Sequence, residues 1–288
     1  MLTILFDGIA YGMLLFILAV GLSVTMGLMN FINLAHGAFA MAGGYLTVVL
    51  MQRFGVPFLI CLPLAFLATG FLGAIMERSL YRPMYAKPHL DQVLFSIGLA
   101  FMSVSAIDYF MGSQQQIMQL PDMLKGRTEI WDVALGMGHY RLFIIAICAA
   151  LTLALQYVLA KTTFGSRLRA SVDDSRVAAG LGINVNSVFA ITFAVGSGLA
   201  GLGGALGAEV LGLDPTFPLK FMVYFLIVVA VGGTSSITGP LLAALLLGIA
   251  DVAGKYYVPK LGAFIVYSLM LLILLWRPQG LFVRKGGH

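Results

Sequence analysis

The chain has 288 residues and a mean hydropathy of +0.98, with 60% hydrophobic and 10% charged residues. Its 17 basic and 12 acidic side chains are too few to cover the surface of a soluble domain of this size. We therefore expect an all-α, polytopic integral membrane bundle that forms a single domain over residues 1–288. The pI of about 9.2 does not indicate nucleic acid as a partner, because the basic residues fall in short loops between apolar stretches.

Long apolar stretches recur along the whole chain, and about 20 such residues cross a hydrocarbon core of roughly 30 Å. The candidate spans are 3–27, 57–80, 92–111, 140–160, 187–208 and 261–276, with shorter Gly- and Ala-rich pieces at 37–51, 219–231 and 239–254. The sequence therefore predicts eight or nine membrane segments.

Polar residues interrupt the first apolar region, which would otherwise continue to residue 50. They are Asn30, Asn33 and His36, and Gly37 follows them. Polar groups at membrane depth are costly unless they line protein or water. We predict that these residues line a translocation path, and tight helix-packing turns are the alternative. For His36, a hydrogen bond that fixes the turn is favoured over proton coupling, because no acidic residue is near it in sequence.

A second interruption, at 232–240, splits the apolar region 219–254 in the same manner and contains Thr234, Ser235 and Gly239. The two breaks give a weak internal repeat, and our assignment gives both broken units the same orientation. Interrupted helices in corresponding places indicate a translocation path at the repeat interface. Helix N-termini after His36 and after Gly239 would offer free N–H groups to that path.

The basic residues are concentrated in three loops, which indicates the orientation of the chain. They are Arg78, Arg82 and Lys87; Lys161, Arg167, Arg169 and Arg176; and Arg277, Arg284 and Lys285. Because cytoplasmic loops carry an excess of Lys and Arg, we expect these loops and the C-terminus inside and the N-terminus outside. The loop 112–139 then lies outside, as a solvated connector or as a contact for an external substrate-delivery protein.

The polar island at 161–186 is predicted to be a cytoplasmic coupling loop. Asp174 can cap a short helix that passes through Ala178 and ends at Gly180 or Gly182. Such a helix cannot bury its apolar face alone, and docking into a groove of a soluble partner would bury it. An interfacial helix that rests on anionic lipid is the alternative.

Five motifs occur in order along the chain. They are Gly27 through Gly37 with Tyr45; Glu77-Arg78 with Tyr81-Arg82-Pro83; Arg169-Ala170, Asp174, Ala178 and Gly182-Ile183; Gly232-Gly233 with Gly239-Pro240; and Pro278-Gln279-Gly280-Leu281. With these motifs the chain resembles the branched-chain amino acid type ABC importer permeases, in particular the shorter, first-permease subunit type. The resemblance implies that the third motif is the segment through which separate ATPase subunits act on the permease.

The resemblance implies a set of partners in a bacterial cytoplasmic (inner) membrane. These are membrane lipid, a second homologous permease chain in a heterodimer, two cytoplasmic ATPase subunits and an external solute-binding protein. No G-x-x-x-x-G-K-[ST] motif occurs, so ATP and Mg are expected in the ATPases, and no cofactor, metal or catalytic residue is expected here. Many members of the family that the chain resembles carry a Lys where Tyr224 stands, about one turn into the apolar stretch before the second Gly pair, and the nearest cation here is Lys220. We count Tyr224 among the predicted path residues.

The expected function is transport of a small amino acid or a related amide or carboxylate, with alternating access driven through the segment 169–183. An ion-coupled secondary transporter is the alternative. It requires ionisable groups inside the membrane, but Asp108, Glu209 and Asp251 lie near predicted span ends and no intramembrane pair is evident. A membrane enzyme is disfavoured, because the four histidines are scattered and form no nucleophile–base or metal cluster.

Overall fold

The computed structural model describes residues 2–29, 31–130, 133–233, 237–277 and residue 280. Helices dominate this part of the chain. They are α1 (Leu2–Met29), α2 (His36–Phe54), α3 (Phe58–Met76), α4 (His89–Met111), α5 (His139–Lys161), α6 (Thr163–Asp173), α7 (Ser175–Gly180), α8 (Val185–Leu211), α9 (Phe217–Gly232), α10 (Thr238–Tyr257) and α11 (Gly262–Trp276). A π-helical turn, Glu77–Tyr81, and a 3₁₀ turn, Arg82–Met84, follow α3, and further 3₁₀ turns lie at Asp122–Leu124 and Pro259–Leu261.

Six of these helices are long and apolar enough to cross a membrane by length and composition. They correspond to α1, α3 with its following turns, α4, α5, α8 and α10, and the shorter apolar helices are α9 and α11. Each of the nine predicted spans and short segments overlaps one of these helices, and the segment 37–51 corresponds to α2. The predicted helical membrane bundle is confirmed.

The loop between α4 and α5 contains the described β-structure. Strands β1 (Arg127–Ile130) and β2 (Val133–Gly138) form an antiparallel hairpin with an irregularity in its register. A short hairpin whose edges are open cannot satisfy its backbone groups in hydrocarbon, so its place is at the membrane surface. The expectation of an all-α chain therefore holds for the bundle and needs this one addition outside it.

Helices α1 and α8 form the centre of the bundle. In the most apolar part of each helix, 83% of the residues of α1 and 78% of those of α8 are buried. The corresponding shares are 11% for α4 and 17% for α5. The small residues of α8 are the reason, because they let neighbouring backbones approach closely. A Cβ atom at Gly204 would lie 1.8 Å from the Ala40 carbonyl oxygen, and one at Gly43 would lie 2.2 Å from the Gly201 carbonyl oxygen. The close packing predicted for 196–207 is thus observed.

The helices that follow the two breaks run in the same direction. Helix α10 is antiparallel to α1, because Gly8 lies against Ile249 and Gly12 lies against Leu245. Helix α2 runs along α8 in the same direction, from Phe39 at Phe193 to Gly44 at Gly204. Helix α8 is itself antiparallel to α1, since Gly196 lies against Gly21 and Gly207 against Leu14. Both short helices therefore run back along α1, which agrees with the common orientation assigned from the sequence.

Candidate translocation unit and coupling segment

The first break is held together by the amide of Asn33. This side chain is fully buried, and its Oδ1 accepts hydrogen bonds from the Ala35 backbone N–H at 3.1 Å and from the Tyr81 hydroxyl at 3.2 Å. Its Nδ2 group is buried without a hydrogen-bond partner among the described residues. An unpaired buried donor costs free energy, so this turn retains an unused hydrogen-bonding capacity inside the bundle.

His36 and Gly37 begin α2 and pack into the interior. The His36 Nε2 atom lies 2.9 Å from the Leu18 carbonyl oxygen, and the ring is buried. This is the hydrogen bond that the sequence suggested for His36. A Cβ atom at Gly37 would lie 2.9 Å from the Cα atom of Pro218. The start of α2 therefore sits directly against the start of α9.

The second break is also a tight turn in its described part. A Cβ atom at Gly232 would lie 2.4 Å from the Pro240 nitrogen, so α9 ends directly against the start of α10. Gly239 is buried in that start. Three of the predicted path residues, Asn30, Thr234 and Ser235, lie outside the described residues.

The first predicted basic loop packs beneath the first break. Tyr81 is fully buried, and its ring meets the Phe31 ring edge-on at 5.5 Å. Glu77, also fully buried, pairs with Arg82 at 3.1 Å and accepts a hydrogen bond from the Tyr85 hydroxyl at 3.3 Å. Burial, together with the neighbouring carboxylate, raises the pKa of Tyr85. The π-helical turn thus brings Arg82, five positions away in sequence, to Glu77.

A polar cluster that sequence reasoning missed joins α1, α9 and α10. Asp251 is 1% exposed and pairs with Lys255 at 2.5 Å, while the Tyr224 hydroxyl donates to it at 3.3 Å. The Lys255 ammonium also lies 5.5 Å from the centre of the Tyr11 ring. The sequence interpretation did not anticipate this pair, which lies near the C-terminal end of α10, where the sequence also places Asp251. Spacing of four residues on one helix was the available signal.

Lys220, the cation nearest to Tyr224 in sequence, belongs to another site. It pairs with Asp214 in the loop between α8 and α9 at 2.6 Å. Although partial burial raises the pKa of Asp214, hydrogen bonds from Lys220 and Thr216 outweigh it and hold that pKa below its usual range. Because Lys220 points to this loop, the cation that shares a partner with Tyr224 is Lys255.

The coupling segment, 169–183, forms the end of α6, the short helix α7 and the turn after it. Asp174 caps α7, since its carboxylate accepts from the backbone N–H groups of Arg176 at 2.9 Å and Val177 at 3.0 Å. Gly182 then adopts a φ of +84°, which favours glycine. The predicted capped helix with its glycine end is therefore observed.

The segment is fastened to the bundle on one side and open on the other. Arg169 donates to the Leu159 carbonyl at the end of α5, and Ala178 is buried. Val177 and Leu181 are 58% and 76% exposed. Of the remaining predicted coupling residues, Ala170 and Ile183 are half-buried. Helix α7 and the residue directly after it thus present two exposed apolar side chains beside charged residues.

An aromatic chain connects the coupling segment to the first break. Helix α8 begins directly after the segment, and its Phe189 lies 6.2 Å from the Tyr85 ring. One turn further, Phe193 lies 4.7 Å from Tyr81, which is bonded to Asn33. Displacement of the start of α8 would therefore reach the break through contiguous packed rings.

The family assignment follows from comparison with known proteins. The sequence profile of the family described as "Branched-chain amino acid transport system / permease component" matches residues 4–274. The chain belongs to this permease family. No solved structure matches the chain.

Individual relatives agree with this assignment of the permease. It is 25% identical to the high-affinity branched-chain amino acid transport system permease protein BraD of Pseudomonas aeruginosa, over 97% of this chain and 95% of the relative. It is 26% identical to LivH of Escherichia coli strain K12, over 97% and 94%. For LivM of the same strain the identity is 24%, over 93% of this chain but 68% of the relative. The matched lengths confirm the resemblance to the shorter permease type.

Tyr81 offers a specific test of the aromatic connection. Replacement by Phe removes the hydroxyl that bonds to Asn33 but keeps the ring packing. Losing one buried hydrogen bond costs about 1 kcal/mol, so we expect about a fivefold fall in solute uptake, with unchanged assembly. Tyr157→Phe is the matched control, because Tyr157 is 65% exposed on α5. Equal uptake by both variants would show that the hydroxyl plays no part in transport.

Proposed function

We propose that this permease is a transmembrane subunit of an ATP-driven importer for small amino acids or related amides or carboxylates. The observation that carries the proposal is the coupling segment. It offers a separate protein the short helix α7 with two exposed apolar side chains, and residues 181–184 connect this helix to the central helix α8. Helix-in-groove docking would bury Val177 and Leu181 and would let the partner move α8.

The proposed mechanism transmits movement from the ATPases to the first break. ATP binding closes the two ATPase subunits and displaces segment 169–183. Helix α8 then shifts against the rings of Tyr81 and Tyr85, and the turn around Asn33 repacks. Because packed cores have discrete arrangements, a small displacement at α7 can switch the bundle between outward and inward access.

The proposed path residues are Asn30, Asn33, His36, Gly37, Tyr224, Thr234, Ser235 and Gly239. In this conformation Asn33, His36 and Gly37 are buried between helices. They would therefore meet a solute only after the turns separate, and the unpaired Nδ2 group of Asn33 would then have a carbonyl or carboxylate to bind. Selection by affinity would rest mainly with the external binding protein.

The partner set extends the family assignment. We propose a heterodimer with a second permease chain, two cytoplasmic ATPases that hold ATP and Mg, and a solute-binding protein on the outside. The chain would lie in a bacterial inner membrane with its N-terminus outside and its C-terminus in the cytoplasm. The similarity to both LivH and LivM supports a pairing of homologous permeases.

The alternative, an ion-coupled transporter, gains one observation from the buried Asp251. A carboxylate inside the bundle is what such a mechanism requires. Both carboxylate oxygens of Asp251, however, already accept hydrogen bonds, one from Tyr224 and one from Lys255. The geometry therefore favours a structural ion pair.

Reconstitution into proteoliposomes distinguishes the two mechanisms. We expect uphill uptake of a radiolabelled amino acid only when the permease pair, the ATPases, the binding protein and ATP are all present. Dissipating the proton and sodium gradients should leave this uptake unchanged. Accumulation by vesicles that hold the permease alone, abolished by gradient dissipation, would instead establish the ion-coupled mechanism.

A further inference from the structure

A second feature of the coupling end of the bundle is an apolar cavity of about 260 Å³ between α1, α5, α6 and α8. Its lining residues include Val24, Leu155, Phe164, Leu168, Val195 and Leu199. The one side-chain hydroxyl in the wall, that of Thr192, is donated to the Val188 carbonyl oxygen at 2.8 Å. The cavity far exceeds the roughly 30 Å³ that a water molecule occupies, yet its walls offer water few polar partners.

The cavity opens toward the outside of the bundle between α5 and α8. Two of its wall residues, Val158 and Ile191, are 38% and 50% exposed. In a membrane-spanning bundle, acyl chains surround such a surface. A void loses dispersion contacts on one side, so an acyl chain that enters the cavity gains contacts that neither water nor an empty space provides.

Positive charge surrounds the same part of α6. Leu159 lines the cavity, and its carbonyl accepts the hydrogen bond from Arg169. Lys161, two residues further, and Arg167, between the wall residues of α6, are both exposed. The two acidic residues of this region, Asp173 at the C-terminal end of α6 and Asp174 directly after it, lie four and five residues beyond Arg169. Three cations on or next to the helices that line an apolar cavity match a negatively charged headgroup joined to an acyl chain.

We propose that this cavity binds one acyl chain of an anionic phospholipid, whose phosphate is held by Lys161, Arg167 and Arg169. Phe164 and Leu168 belong to α6 and also form the cavity wall. A bound chain would therefore brace α6 against α5 and α8, next to the segment that we assign to ATPase coupling. The lipid site itself does not depend on the proposed transport function.

Photo-crosslinking in lipid nanodiscs tests the site on the full chain with its partner subunits. The probe is phosphatidylglycerol with a diazirine in one acyl chain, compared with the same diazirine on phosphatidylcholine, and adducts are mapped by peptide mass spectrometry. We expect phosphatidylglycerol adducts on α5 near Leu155 and on α8 near Val195. Since a cation near a headgroup gives about a fivefold preference, Arg167→Gln and Lys161→Gln should each lower this labelling several-fold.

Two substitutions by Phe, one inside the cavity and one on an exposed helix face, complete the test. Val195→Phe should fill the cavity and abolish the α5 and α8 adducts, whereas Leu94→Phe on the exposed face of α4 should leave them unchanged. Equal labelling by both lipids, unaffected by Val195→Phe and by the charge variants, would show general lipid contact and overturn the proposal. Absence of adducts in the assembled complex would show that a partner chain covers the opening, which would overturn it as well. If Val195→Phe does not assemble, the two charge variants still decide.

Discussion

Replacing Gly204 with Ala should destabilise the permease more than any other single added methyl group considered in this structure. Its Cβ atom would lie 1.8 Å from the Ala40 carbonyl oxygen and 2.5 Å from the Ala40 carbonyl carbon. Because the obstacle is backbone, α2 and α8 must separate at the centre of the bundle. Overpacking of this kind costs about 3 kcal/mol or more, which corresponds to a fall of about 6 °C or more in apparent Tm. Thermal unfolding of the purified protein measures it.

Gly98→Ala is the matched control for this prediction. Gly98 also lies inside a membrane helix, α4, but a Cβ atom there would meet nothing within 4 Å. Ala favours a helix by about 1 kcal/mol over Gly, so Tm should stay the same or rise. Similar losses of stability in both variants would show that helix backbone flexibility, and not the contact between α2 and α8, determines the effect.

Replacing Asp174 with Ala should reduce recovery of the proposed ATPase partner with the purified permease by about fivefold. The substitution removes both side-chain hydrogen bonds that cap α7, and loss of an N-cap costs about 1 kcal/mol. Helix α7 spans only Ser175–Gly180, so it has little other local support. The fraction of molecules with an ordered docking helix, and hence the apparent affinity for the partner, falls accordingly. Membrane insertion should not change.

Two variants separate the cap from the charge. Asp174→Asn keeps a good N-cap without the charge, and Asp173→Ala removes the neighbouring, exposed carboxylate at the end of α6. Both should retain the ATPase nearly as well as the unmodified chain. If the Asp174→Asn variant retains as little ATPase as the Asp174→Ala variant, the partner recognises the negative charge of Asp174 and not the helix cap. Full recovery with Asp174→Ala would contradict a docking role for α7.

Much of the fold followed from the sequence because the bilayer restricts the choice of structure. Only helices and closed barrels satisfy every backbone group in hydrocarbon, so long apolar stretches became helices at the predicted places. Local chemistry was equally predictable: Asp174 caps a helix that ends before Gly182, as their residue types require. The family motifs are short stretches of sequence spread over nearly the whole chain, so they were recognisable without the tertiary structure.

The tertiary structure alone decided which polar residues meet. Asn33 is held by Tyr81, 48 positions away, because the turn after α3 folds beneath the first break. Lys255, and not Lys220, shares a partner with Tyr224, since α9 and α10 lie side by side and the loop before α9 turns Lys220 toward Asp214. These contacts depend on how helices rotate and pack against each other. An apolar stretch that is hydrophobic on all sides carries too little periodicity to fix that rotation.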